Sequence, residues 1–464
     1  MTNEQKILHL HQRAGFGLSP EEWGQYKGKN IKQLLNNLFD IKKLRPIKTP
    51  LMDIPDEDAF AKANEKQKQE LKKQAIKLTI QVNTDWVERM IKPDSSALVE
   101  KMAFFWHGHF ACEPKFFHFA TPYVNTIRNQ ALGNFKDLVM AISKDAAMII
   151  YLNNQQNRKN KPNENYAREL MELFTIGRGN YTENDIKEAA KAFTGWFTNR
   201  KTGEFEFKDR AHDFGSKTFM GQRGNFDGGD IIDIILSKKE TAYFIAKKVY
   251  RFFVNEITIN EKQVQELATV FFDSKYDIAK MMRYLFEADW FYADKNAGAK
   301  IKSPVELMVG MAKLIDLKTE NEMGWLFPQR ALGQILFKPP NVAGWPGGKT
   351  WIDNSTLMLR LNFAALLFDK AEVGFRLKDS PEAANRGAAM KKLEISANLD
   401  GLIKSFGKLS DDKMGEEMAA FLLPVPVKLD NPLFGQYVSA AKSPEDKVRA
   451  WALVLIRLPE FQLC

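Results

Sequence analysis

The chain has 464 residues and a mass of 53.1 kDa, enough to bury one large core or two to three smaller ones. Its 67 basic residues interleave with 58 acidic ones, so the net charge of +9 reads as a mixed solvated surface with a weak lean toward anionic partners; no nucleic-acid signal stands out. Two cysteines, Cys112 and Cys464, exclude a disulfide framework and disfavour a thiolate zinc site.

The opening residues lack the apolar core of a signal peptide, and no window has the length and apolarity of a membrane span. A cytoplasmic chain fits; an extracytoplasmic one whose leader has been removed is the alternative. Residues 1–40 read as short helices, with His9 and Arg13 four apart on the first. Ser19 and Pro20 supply the cap and first position of another. Residues 42–56 are Pro-rich and read as a loop. From Ala59 to Lys92 the pattern predicts one long helix whose polar first half is solvated.

Ser95 or Ser96 caps the next helix, which ends in Trp106-His107-Gly108-His109-Phe110. If Gly108 unwinds that end, His107 and His109 fall on one side of an extended segment and converge on a metal. If it does not, one is a core histidine bonded to backbone and the other is exposed. Three helical segments follow between 116 and 152. Residues 153–163 form an Asn-rich loop of the kind that carries substrate contacts.

That loop feeds the stretch around which the chain is organised, Asn163–Gly177. It reads as a helix, with Asn163 and Asn165 able to cap its start and Gly177 its end. Leu170, Leu173 and Phe174 form the apolar stripe. Glu169 and Glu172, three apart, project from neighbouring parts of one face and can share a metal or a proton. The bland reading is a pair of helix salt bridges, Glu164 with Arg168 and Arg168 with Glu172, each four apart.

Thr182 and Asp185 stand in capping-box register ahead of a further helix. Alternation from Trp196, with Gly203 in the turn, predicts a short β-hairpin near 196–208. It delivers His212-Asp213 into a Gly-rich loop with no phosphate-loop spacing. Three or four helices occupy 229–292, one of them Thr241–Val254, and Pro304 starts another. The rigid loop 338–351 holds Trp345 and Trp351, which either pack a corner of the core or stack on a sugar ring. A helix follows from Asn354, residues 374–395 read as a linker, and about four helices complete the chain. The expected fold is therefore mainly α: a multi-helix globular domain, 1–464, with one short hairpin and a C-terminal helical subdomain at 395–464.

Seven stretches together, His9–Gly17, Lys101–Phe110, Asn163–Gly177, Tyr181–Trp196, His212–Gly221, Ala246–Val254 and Pro339–Arg360, resemble a bacterial family, the domain of unknown function 1800. The resemblance spans nearly the whole chain and implies one mainly helical domain. It supplies no reaction and no residue roles. Members often carry export signals.

Three functional readings follow. In the first, a metal-dependent hydrolase or oxidoreductase, His107, His109 and His212 join Glu169 or Glu172 around a divalent zinc, iron or manganese ion. The spare Glu or Asp213 is then the base. In the second, a metal-free glycan hydrolase, Glu169 or Glu172 works with Asp213. Asn163, Asn165, Arg168, Trp345 and Trp351 contact the glycan or another small anionic ligand. In the third, a non-enzymatic scaffold or binding protein, the same polar groups form a satisfied buried network.

Overall fold

The structure is a computed structural model that describes residues 1–41, 43–48, 64–319, 323–368, 395–429, 434 and 438–464. The predicted 374–395 linker lies outside these residues except at Ile395, as do most of the Pro-rich loop and the proposed start of the long helix at Ala59.

Twenty α-helices and three two-stranded antiparallel sheets make up the described fold. Helices α1 (Asn3–Ala14), α2 (Pro20–Tyr26) and α3 (Ile31–Phe39) open the chain. Ser19 and Glu22 cap α2 reciprocally. The long helix α4 runs Glu65–Ile91 from an Asn64 cap, largely exposed over its first half, with a buried face that begins at Val82.

Helix α5 (Ala97–His109) is the axis of the core, with every residue from Leu98 to His107 buried. A helix apolar on all faces has nowhere to sit but the interior. Its two charges are matched: Glu100 accepts from Arg128 and from the Trp86 indole, and Lys101 donates to Glu306. Around it lie α6 (Ala120–Gln130), α7 (Phe135–Lys144) and α8 (Ala146–Tyr151). Then come α9 (Asn165–Glu169), a π turn (Leu170–Thr175) and α10 (Glu183–Ala192), the last with the expected Thr182–Asp185 capping box.

The predicted hairpin is present as β1 (Trp196–Thr198) and β2 (Phe205–Phe207), in register Trp196 to Phe207. A second hairpin, β3 (Lys217–Phe219) and β4 (Gln222–Gly224), occupies what the sequence suggested was a Gly-rich loop. Its two turn residues, Met220 and Gly221, both have positive φ, the pairing that matches strand twist.

Helices α11 (Gly228–Leu236), α12 (Lys239–Phe253), α13 (Glu261–Asp273) and α14 (Ile278–Glu287) follow, then α15 (Pro304–Leu314), β5 (Lys318–Thr319), α16 (Met323–Leu332) and α17 (Asn354–Phe368). Strand β6 (Ile395–Ser396) pairs with β5, and α18 (Asp400–Phe406), α19 (Asp411–Leu422) and α20 (Pro444–Ile456) finish the described chain. Trp23 of α2 stacks on Phe421 of α19, so the last helices join the same hydrophobic core as the first. Among the described residues no helix is long and apolar enough to cross a membrane.

Candidate functional site

The Asn163–Gly177 stretch begins as the sequence suggests. The Asn163 carboxamide oxygen accepts the Asn165 amide at 3.0 Å, and the Asn165 side chain donates to the Leu152 carbonyl at 3.0 Å, tying the helix to the Asn-rich loop. It does not continue as an α-helix. After Glu169 the turn widens into a π turn, with the Ile176 amide bonded to the Met171 carbonyl at 3.2 Å and the Thr175 hydroxyl to the Leu170 carbonyl at 2.5 Å. Gly177, at φ +80°, closes it, its amide donating to the same Met171 carbonyl at 2.8 Å.

The widened turn frees the Leu173 and Phe174 carbonyls from the usual ladder. Lys248 of α12 donates to the first at 2.9 Å, and the His109 Nε2–H donates to the second at 3.0 Å. Lys248 also donates to His109 Nδ1 at 3.2 Å. Burial pushes its ammonium group down to about 8. π turns are rare, and those that occur are frequently at functional sites.

On the turn, Glu172 is clamped. Its carboxylate accepts from the Arg178 guanidinium, through Nε at 2.5 Å and through Nη2, and from the Tyr181 hydroxyl at 3.3 Å. Glu169 is not clamped. Among the described residues its half-buried carboxylate has no hydrogen-bond partner. Burial, and then the charge of Glu172, push its carboxyl above the usual carboxylate range against the pull of Arg168 and Arg178. Tyr151 lies near enough for the Glu169 charge to help raise its phenol.

Arg168 pairs with Glu164 at 3.2 Å, as its spacing predicts, and takes Glu183 in a two-pronged bridge, 2.9 Å on each prong. The expected Arg168–Glu172 bridge does not form, because the extra residue in the π turn shifts the i,i+4 register and hands Glu172 to Arg178.

The three histidines proposed as metal ligands are engaged separately. Helix α5 runs straight through Gly108, so His107 and His109 leave on different sides. His107 Nε2 accepts the Phe337 amide at 3.1 Å, and its ring stacks on Trp345 at 5.5 Å between centroids. Burial pushes its imidazole down to about 3. His109 has both ring nitrogens occupied by Phe174 and Lys248. His212 donates from Nδ1 to the Thr194 carbonyl at 2.7 Å and packs against Phe207 and Phe214. Among the described residues no group of three or more His, Cys, Asp or Glu side chains is arranged to hold a metal. The donor set does not fit the zinc, iron or manganese centre that the spacing suggested.

Asp213 holds its own turn, accepting the Gly215 amide at 2.7 Å, and its charged neighbours are Glu188 and Lys217 rather than the Glu169–Glu172 pair. Trp345 is seated on His107 where Gly344, at φ +78°, backs onto α5, and Trp351 is buried. Trp351 thus packs a corner of the core, while Trp345 is only half-buried.

Sequence reasoning missed Arg178, Tyr181, Tyr151 and Lys248. The first two depend on the π turn, and Lys248 lies 75 residues from the carbonyl it binds. No short-range signal marks them.

The chain matches the family described as Protein of unknown function (DUF1800) over residues 9–463, and it belongs to that family. No curated protein and no solved structure matches it.

Proposed function

We infer that the chain is a hydrolase that works by general acid–base chemistry, with a glycan as its substrate class. The observation that carries this reading is an unpartnered, half-buried carboxyl, Glu169, three residues from a clamped carboxylate, Glu172, on a π turn. Two carboxyl groups in environments that separate their roles are the usual signature of an acid and its charged partner.

Glu169 donates its proton to the glycosidic oxygen as the bond to the sugar carbon breaks. Glu172, held by Arg178 and Tyr181, faces the positive charge that develops on the sugar. Water adds to that carbon and returns a proton to Glu169, restoring the starting state. Tyr151, Tyr181 and the Asn-rich loop supply the hydrogen-bonding rim that a hydroxyl-rich substrate needs. No metal enters this scheme.

The test is release of reducing ends from a panel of polysaccharides and aryl glycosides. Glu169→Gln should lower the rate by about 10²–10⁴-fold, the range typical of a lost general acid, while leaving thermal melting at or above the parent's. A Glu169→Gln variant as active as the parent overturns the assignment, and a parent inactive on every glycan overturns the substrate class. Elemental analysis of active protein that finds stoichiometric zinc, iron or manganese overturns the metal-free mechanism.

A further inference from the structure

Away from the Glu169 turn, the core encloses a second group of charges. Segment 300–302 pairs antiparallel with 462–464: the Lys300 amide donates to the Cys464 carbonyl and the Cys464 amide to the Lys300 carbonyl, while the Lys302 amide donates to the Gln462 carbonyl. Residues two apart on a strand share a face, so Lys300, Lys302, Gln462 and Cys464 lie on one side, and Ile301 and Leu463 on the other. Arg13 from the end of α1, Lys101 from α5 and Arg360 from α17 join that cluster. All five cations are buried, none more than 6% exposed.

The cations are joined by specific contacts. Lys101 and Lys300 both donate to the same Glu306 oxygen at 2.5 Å. Lys302 donates to the Phe461 carbonyl at 2.7 Å. Arg13 Nη2 donates to the Asn296 carbonyl at 2.9 Å and to the Cys464 main-chain oxygen at 2.7 Å. Arg360 Nη1 donates to the Lys302 carbonyl at 3.0 Å. Glu256, half-buried, accepts the Ile301 amide at 2.6 Å and feels the charges of Lys300 and Arg13.

Two features remain unanswered by these contacts. The first is charge. Among the described residues, Glu306 and Glu256 stand against Arg13, Lys101, Lys300, Lys302 and Arg360, and the cations still prevail if the Cys464 oxygen is counted as a full negative charge. The second is hydrogen bonding. Among the described residues, Nε and Nη1 of Arg13, Nε and Nη2 of Arg360, and both polar atoms of Gln462 are buried with no partner. Folded proteins pair buried charges and satisfy buried donors. Donors left open on two guanidinium groups, inside an uncompensated positive cluster, match what a multivalent oxyanion offers: spread negative charge and several acceptors.

We propose that the cluster of Arg13, Lys302, Arg360 and Gln462, backed by Lys101 and Lys300, is a buried binding site for a phosphate-type oxyanion. Glu306 holds two of the lysines in place and leaves the guanidinium groups free for the ligand. Burial pushes the Lys101 and Lys302 ammonium groups down to about 8, and an anion in the cluster opposes that shift. Free phosphate and the phosphate head of an organic monoester share this chemistry.

Calorimetric titration of the purified full chain, dialysed into chloride buffer, tests the site with sodium phosphate, sodium sulfate and phenyl phosphate. The expected result is saturable one-to-one binding of phosphate that chloride at equal ionic strength does not reproduce. Phenyl phosphate binding as tightly assigns the site to a phosphomonoester; phenyl phosphate failing while phosphate binds assigns it to the free ion. Arg360→Gln should weaken phosphate binding by at least tenfold with an unchanged far-ultraviolet spectrum, and Lys302→Gln is the substitute if that variant does not fold. Glu169→Gln should bind phosphate like the parent, which separates this site from the proposed hydrolase centre. Absence of saturable binding to any of the three probes, or a folded Arg360→Gln or Lys302→Gln protein that binds like the parent, overturns the proposal.

Discussion

A carboxyl group whose folded-state pKa is raised, as burial and Glu172 raise that of Glu169, holds its proton more tightly in the folded chain than in the unfolded one. The favourable contribution is present in full below the unfolded value and is lost as pH rises through the folded value. Glu169→Gln should therefore flatten the stability profile above about pH 4.3, the ordinary value for Glu. It should also leave the protein at neutral pH no less stable than the parent; urea midpoints from pH 4 to 8 measure this, and a midpoint that drops at pH 7 contradicts it. Glu172→Gln should lower the midpoint at pH 7, since it removes the hydrogen-bond partner of Arg178 and Tyr181. The carboxylate pair could be read from sequence because three-residue spacing on a helix is a local property. The separate engagement of His107, His109 and His212 was not legible, because each ring nitrogen that is engaged finds its partner through tertiary contacts that spacing does not encode.

At the scale of elements, two glycines that touch each other make a controlled pair. Gly108 lies inside α5, and a methyl group placed there meets nothing within 4 Å. Gly344 sits at φ +78°, and a methyl group there would lie 2.4 Å from the Gly108 carbonyl oxygen. Gly108→Ala should stabilise the protein by up to about 1 kcal/mol, through helix propensity and a less disordered unfolded chain. Gly344→Ala should destabilise by more than about 1 kcal/mol. Thermal melts of the two variants decide this, and shifts of the same sign contradict it. Capping chemistry made several helix starts legible: Ser19, Ser96 and Thr182 all cap as their positions suggest. The second hairpin was not legible, since its strands carry one large apolar residue, Phe219, where those of the first carry Trp196, Phe197, Phe205 and Phe207. Nor was the π turn, which depends on Lys248 and His109 taking carbonyls from outside.

For the molecule as a whole, five of the buried titrating groups respond to acid in one direction, against the buried Asp145, whose carboxyl burial pushes up to about 7. His9, His11, His107 and His109 are all held neutral by burial, their imidazoles pushed well down; those of His11 and His107 reach about 3. Burial alone would raise the Glu306 carboxyl, but the charges of Lys101 and Lys300 outweigh it and hold Glu306 well below the usual range. For each of these groups the unfolded chain binds protons first as pH falls. Stability is thus present above the unfolded values, near 6.5 for His and 4.3 for Glu, and is lost as pH drops toward the folded ones. His11 and His107 should each remove on the order of 3 kcal/mol by pH 4, against a total of about 5–15 kcal/mol for a typical fold. Guanidinium unfolding between pH 7 and 4 should show a steep fall, and a constant midpoint across that range contradicts it. The helical character of the chain was readable from periodicity and caps. The gathering of Arg13, Lys101, Lys300, Lys302 and Arg360 was not, because their contacts join residues up to 451 positions apart.

That separation has a temporal side. Arg13 cannot reach the Cys464 carbonyl until the chain between them has been made, and at about 5–20 residues per second translation of such a length takes roughly 20 to 90 s. For that interval α1 exists without the strand pairing that receives its arginine. Pairing of 300–302 with 462–464 should accordingly be a late event in the birth of the molecule. Pulse-labelled nascent chains halted before the last α-helix should leave α1 open to protease, and chains released in full should close over it.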